Sequence, residues 1–151
     1  MTPFTNNPLT RPVEILIVED DLTDIKLTQR SLERNRVLNN LHITRDGIEA
    51  MQFLRQEGDF SDVPRPDIVL LDLNMPRKDG RETLRDIKND PNLKAIPVII
   101  MTTSKQETDI EGSYLEHANS YVTKPVDMEQ FQKVVETINA YWFTVVKLPS
   151  D

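Results

Sequence analysis

The chain predicts a doubly wound α/β fold, a parallel five-stranded sheet flanked by five helices, and three observations carry that prediction. Short apolar runs recur at 15–18, 41–44, 68–71, 98–101 and 121–123. A parallel strand buried on both faces reads as a continuous apolar run of this kind. Segments with apolar residues at helical spacing lie between the runs, and such alternation favours a doubly wound sheet. Polar residues capable of chemistry then follow the runs. Glu19 and Asp20 follow the first, Asp72 the third, Thr102 the fourth, and Lys124 the fifth.

The elements follow in order. After the first run, Asp21 is placed to cap a helix with Leu22, Ile25 and Leu32 on its inner face. The run at 41–44 is the weakest strand, and Asp46-Gly47 then turns the chain into a helix with Ala50, Met51 and Leu54 facing inward. Residues 57–66, with Gly58, Pro64 and two aspartates, read as a loop. Beyond the 68–71 strand, Pro76 forces an extended turn, Gly80 opens a helix with Leu84 and Ile87 inward, and Pro91 ends it. In the last helix Met128, Phe131, Val135, Ile138, Trp142 and Val145 recur in steps of three and four residues. Val134 and Tyr141 add a neighbouring face, and Phe143 stands beside Trp142, so this helix is apolar around more of its girth than packing on one sheet requires. The excess marks a partner surface, set against the plainer reading of a deeply docked terminal helix.

Bulk properties bound the function. A chain of 151 residues is one ordinary domain, and 38% hydrophobic with 28% charged residues is a soluble globular composition. No apolar run approaches the ~20 residues of a membrane helix. Residues 1–12 hold three prolines and two asparagines without an apolar core, so they read as a disordered tail rather than a signal peptide, and a cytoplasmic protein is expected. The absence of cysteine excludes disulfides, thiolate catalysis and sulfur-ligated zinc. A net charge of -7 lacks the basic footprint of nucleic-acid binding and favours a protein partner.

If the strands are neighbours, three acids, a hydroxyl and a lysine converge on one rim, beyond the carboxyl ends where such sheets bind ligands. Carboxylates a few ångströms apart repel by a few kcal/mol at an effective dielectric of about 20, so the cluster either holds a proton or binds a cation. Hard oxygen donors point to magnesium. Asp20 and Asp72 are the expected direct ligands, with Glu19 acting through water. Asp72 also suits a nucleophile that forms an acyl phosphate, with Lys124 and the Thr102 hydroxyl facing the phosphoryl oxygens. Taken singly, each residue has an ordinary explanation: a strand-end aspartate caps a helix, a threonine builds a strand, a lysine is a solvated charge. Their joint placement is what argues for a site.

At these residues the chain resembles the receiver domain of bacterial two-component response regulators, a flavodoxin-like fold. The likeness rests on Val18-Glu19-Asp20, on Leu70-Leu71-Asp72-Leu73-Asn74-Met75-Pro76 with Asp79-Gly80, on residues 97–103, and on Tyr121-Val122-Thr123-Lys124-Pro125. The resemblance implies Asp72 as phosphoacceptor, Asp20 as Mg2+ ligand and the Asn74 backbone carbonyl as a further ligand. It also implies Thr102 and Tyr121 as the switch pair and Lys124 as the phosphate partner. Finer features resemble the single-domain regulators that accompany bacterial phytochromes: Thr44-Arg45-Asp46-Gly47, Lys78-Asp79-Gly80-Arg81-Glu82, Thr102-Thr103-Ser104 and the tail from Trp142. That group implies a phytochrome histidine kinase as partner and a homodimer through the final helix, with Phe131, Val135, Ile138, Trp142, Phe143 and Val145 as interface residues. The expected organisation is a tail at 1–12, a receiver at 13–140 and a C-terminal extension at 141–151. Thr103, His117 and Glu19 depart from the commonest residues of the family, and none of them removes a group needed for phosphorylation.

The same residues bear on rival functions. A phosphatase with a strand-end aspartate nucleophile needs a second acid two residues on, and Asn74 cannot supply it. A histidine phosphocarrier needs an exposed helical histidine, and His42 begins a strand while His117 ends a helix. A receiver used as a binding module without phosphorylation, or as a phosphate sink or shuttle, keeps the fold and changes only the output.

Overall fold

The computed structural model describes residues 12–34, 39–73, 75, 77–102, 120–123 and 129. The elements are β1 Val13–Val18, α1 Leu22–Arg34, β2 Asn39–Thr44, α2 Gly47–Leu54, β3 Ile68–Asp72, α3 Gly80–Asn89, β4 Val98–Thr102 and β5 Ser120–Thr123. The strands form one parallel sheet in the order β2-β1-β3-β4-β5. This is the flavodoxin-like order, with its switch point between β1 and β3.

Burial follows from the apolar runs. Ile15, Leu16, Ile17 and Val18 are fully buried, as are Val69, Leu70 and Leu71, because helices cover both faces of a parallel sheet. One core layer gathers Leu16, Val18, Val69 and Leu71 with Met51, Leu54, Leu84 and Ile87 from α2 and α3. On α1, Ile25 and Leu32 are buried as expected, but Leu22 is 54% exposed. Thr28 takes the inward position instead, its hydroxyl donating to the Asp24 carbonyl at 3.0 Å, and Leu22 stands about a third of a turn away from it on the helix.

The weaker strand is longer than its apolar run, since β2 begins at Asn39. Asn40 Nδ2 and His42 Nε2 both lie on the Glu14 carboxylate, at 2.7 and 2.8 Å, which ties a polar edge strand to β1. The His42 ring also packs against Phe53, with centroids 5.4 Å apart. The loop after α2 holds a short 3-10 turn, Gly58–Phe60, and Phe60 and Val63 pack on the core. After α3 the Lys88 ammonium donates to the carbonyls of Lys94 and Ile96, both at 3.1 Å, and closes the turn into β4. Burial holds that ammonium below the ordinary lysine pKa.

Among the described glycines Gly80 approaches neighbouring backbone most closely. It opens α3, donates its N–H to the Leu73 carbonyl at 3.0 Å, and a Cβ there would overlap the Asp72 carbonyl. Glycine to alanine near a helix start ordinarily costs little or stabilises by up to ~1 kcal/mol. Here the Gly80→Ala substitution is expected to destabilise by about 1–3 kcal/mol in urea unfolding, because helix and strand must separate. Unchanged stability would show that α3 can slide away from Asp72 without loss.

Candidate functional site: an acidic rim at the switch point

The chain leaves β1 toward β2 on one side and reaches β3 on the other, so a crevice opens outside their carboxyl ends. Glu19 and Asp20 follow β1, and Asp72 is the last residue of β3, paired in register with Met101. One carboxylate oxygen from each of Glu19, Asp20 and Asp72 lies within 4.8 Å of the other two. Glu19 and Asp72 are buried and Asp20 is half-buried.

The turn into α1 makes this arrangement. Asp21 Oδ1 accepts the N–H groups of Thr23 and Asp24 at 2.8 and 3.2 Å, as an N-cap does. Glu19 Oε2 accepts the Asp21 N–H at 3.1 Å, so its carboxylate helps to build the turn as well as the cluster. Three oxygen donors at this spacing fit a hard divalent ion that keeps part of its water shell. Such an ion would be held chiefly by Asp20 and Asp72 and would offset the repulsion among the acids.

A second loop braces the rim. Thr44 accepts the Glu19 N–H through its carbonyl at 3.0 Å, and Arg45 Nη2 donates to the Asp20 carbonyl at 2.8 Å. Asp46 Oδ1 caps α2 by accepting the Glu49 N–H at 2.8 Å, while Oδ2 pairs with Arg77 Nη1 at 2.9 Å. Gly47 donates its N–H to the Lys78 carbonyl at 3.0 Å. The Lys78 ammonium in turn pairs with Asp86 on α3.

The response regulator receiver domain family matches residues 15–136. The chain belongs to that family. It is 45% identical over 139 residues to Response regulator Rcp1 of Synechocystis sp., covering 92% of this chain and 95% of that protein. Rcp1 has been solved in a Mn2+-bound form, which matches this receiver with a TM-score of 0.70, covering 92% of this chain and 100% of that one. The bacteriophytochrome response regulator RtBRR matches with a TM-score of 0.78 at 38% identity, covering 85% of this chain and 78% of that one. The phosphorylated cyanobacterial phytochrome response regulator RcpA matches at 0.71 and 46% identity, covering 92% and 99%. The receiver is therefore most like the single-domain response regulators associated with phytochromes.

The structure brings Glu19, Asp20 and Asp72 of the receiver together. For Thr102 and Tyr121 the backbone alone is described. Thr102 pairs in register with Thr123, and Tyr121 with Ile100, so the two stand on adjacent strands. Asn74, Thr103, His117, Lys124 and the last-helix residues Phe131, Val135, Ile138, Trp142, Phe143 and Val145 lie outside the described residues. The bracing contacts of Arg45, Asp46 and Arg77 were not anticipated. The only sequence signal for them was Thr44-Arg45-Asp46-Gly47, which periodicity reads as a turn and nothing more.

Packed carboxylates give a test with opposite signs. Asp20→Asn is expected to stabilise the metal-free protein, by about 1 kcal/mol or more, because it removes a like charge. Millimolar Mg2+ should raise the unfolding midpoint of the wild type by mass action and leave that of the variant nearly unmoved. A midpoint in the wild type indifferent to Mg2+ would speak against a cation at this rim.

Proposed function

We propose that the chain is a single-domain response regulator that accepts a phosphoryl group on Asp72 from a phytochrome-type histidine kinase and signals through protein contacts in the cytoplasm. The observation that carries the reading is a strand-end aspartate inside a three-carboxylate cluster at the switch point of a receiver fold. The phytochrome partner is supported by the likeness to RcpA and RtBRR. A net charge of -7 supports a protein rather than a nucleic-acid partner.

In the proposed reaction an Asp72 oxygen attacks the phosphorus of a phosphohistidine. The new P–O bond forms as the P–N bond breaks, and the leaving imidazole nitrogen keeps the electron pair and takes a proton from solvent. The product is an acyl phosphate, which attack by water later returns to carboxylate and inorganic phosphate. Bound Mg2+ supplies charge neutralisation for the phosphoryl oxygens. Asp20 and Asp72 hold the ion, the Asn74 carbonyl adds a ligand, and Glu19 acts through water. Lys124 and the Thr102 hydroxyl receive the phosphoryl oxygens, and Thr102 with Tyr121 carries the change to the surface as a shift between two states. Enzyme activity toward another substrate forms no part of this reading, since the only group transferred ends on the chain itself.

Intact-mass spectrometry after incubation with a small phosphodonor and Mg2+ tests the acceptor. One added phosphate is expected, absent with chelator and absent in Asp72→Asn. A folded, Mg2+-binding sample that never gains mass would favour the receiver as a binding module that works without phosphorylation.

The second part of the proposal is a homodimer through the last helix and the extension at 141–151. Its support is the apolar excess that includes Phe131, Val135, Ile138, Trp142, Phe143 and Val145. Buried tryptophans at interfaces often contribute about 2 kcal/mol or more, so Trp142→Ala should weaken dimerisation at least about tenfold in sedimentation velocity. An identical sedimentation profile for wild type and variant would remove Trp142 from any interface.

A further inference from the structure

We infer that the loop between β2 and α2, through Arg45 and Asp46, is a positioning element for the metal site. This inference rests on the proposed cation at Asp20 and Asp72. The two loops that carry the acids leave different strands. The β2–α2 loop touches both. On one side Arg45 Nη2 reaches the Asp20 carbonyl at 2.8 Å and the Thr44 carbonyl holds the Glu19 N–H at 3.0 Å. On the other, Asp46 pairs with Arg77 at 2.9 Å and Gly47 binds the Lys78 carbonyl at 3.0 Å. Residues 44–47 thus hold both sides, Thr44 and Arg45 the peptides of Glu19 and Asp20, and Asp46 and Gly47 the chain at Arg77 and Lys78.

Three further observations favour positioning over plain surface pairing. Arg77 has φ of 65°, a left-handed backbone that costs an arginine of order 1 kcal/mol and persists only where its surroundings hold it. The Asp46 side chain is 6% exposed although that of Arg77 is 60% exposed, so the pair is anchored from the protein side. Gly47 has no room for a side chain, since a Cβ would lie 2.7 Å from the Lys78 carbonyl, and that closeness keeps the two loops in contact. A cation fitted between Asp20 and Asp72 demands a fixed spacing of their oxygens, and Mg2+ tolerates little error in it. Arg45 and Asp46 do not themselves reach the ion. They set the separation of the groups that do.

The chemistry of Asp46 allows a clean variant. Asn is as good an N-cap as Asp, so Asp46→Asn keeps the bond to the Glu49 N–H and loses the charge that holds Arg77. Arg45→Ala removes the donor to the Asp20 carbonyl, and Arg45→Lys keeps a cation and one donor at that position. Solvent screens the Arg77 end of the Asp46 pair, so its loss costs little stability, and a merely structural role predicts no loss of Mg2+ binding beyond what a fall in metal-free stability accounts for.

The test is calorimetric Mg2+ titration of the full chain, with urea unfolding of each protein in chelator beside it. Asp46→Asn and Arg45→Ala are each expected to weaken Mg2+ binding about tenfold. Arg45→Lys should recover part of the loss, and the metal-free unfolding midpoints should stay unchanged. Wild-type Mg2+ binding with both variants within about twofold of it would overturn the positioning role and leave the metal site standing. A wild type that takes up no Mg2+ would overturn the metal reading and this inference with it. Weakened binding matched by a fall in metal-free stability that accounts for the loss would assign the loop to the fold alone and also overturn the inference.

Discussion

Everything at the functional end of this receiver depends on three carboxylates being held closer together than they would choose to be. Acid oxygens within 4.8 Å of one another, two of the three side chains buried, are an electrostatic cost that the remainder of the fold must carry. The apolar sheet carries it. The buried apolar runs of β1 and β3 pair in register from Ile15 with Ile68 to Val18 with Leu71, which brings the strand ends that carry the acids side by side. A cation or a protein-borne positive charge is the natural complement, and the proposed chemistry supplies both.

The loops translate that constraint into geometry. Asp21 as N-cap and Glu19 as acceptor for the Asp21 N–H convert the end of β1 into a tight turn rather than a mobile tail. Gly80 lets α3 start directly against the Asp72 carbonyl, so the helix N-terminus faces the rim and its positive end favours negative charge there. Neither device is about apolar burial.

Legibility in the sequence followed the range of the interaction. The strands were readable because a buried parallel strand leaves an unbroken apolar run, and Asp46, Gly47 and Gly80 were readable because caps and helix starts act over three or four residues. Leu22 was misread because apolar spacing alone cannot tell a helix's inner face from its flank. Thr28 claimed the inward position through a hydroxyl bond to the Asp24 carbonyl. The start of β2 was missed since Asn39 and Asn40 are poor strand formers by composition, and what holds Asn40 is the Glu14 carboxylate on the neighbouring strand. Arg45 on the Asp20 carbonyl spans 25 residues of sequence, beyond anything a local pattern encodes. The cluster itself was legible only because each acid followed a strand, which turned three separate positions into one rim.

The same distinction separates what must be rigid from what must move. A phosphoacceptor site needs its metal-binding acids fixed before the phosphoryl group arrives, because catalysis by positioning gains nothing from groups that must first be gathered. The contacts at β1, β3 and the β2–α2 loop all lie on that fixed side. On the proposed reading the responsive residues, Thr102 and Tyr121, belong to β4 and β5, on the opposite flank of Asp72. On that reading sheet order divides the labour: the β2 side holds the acids, and the β5 side reports whether phosphate is present.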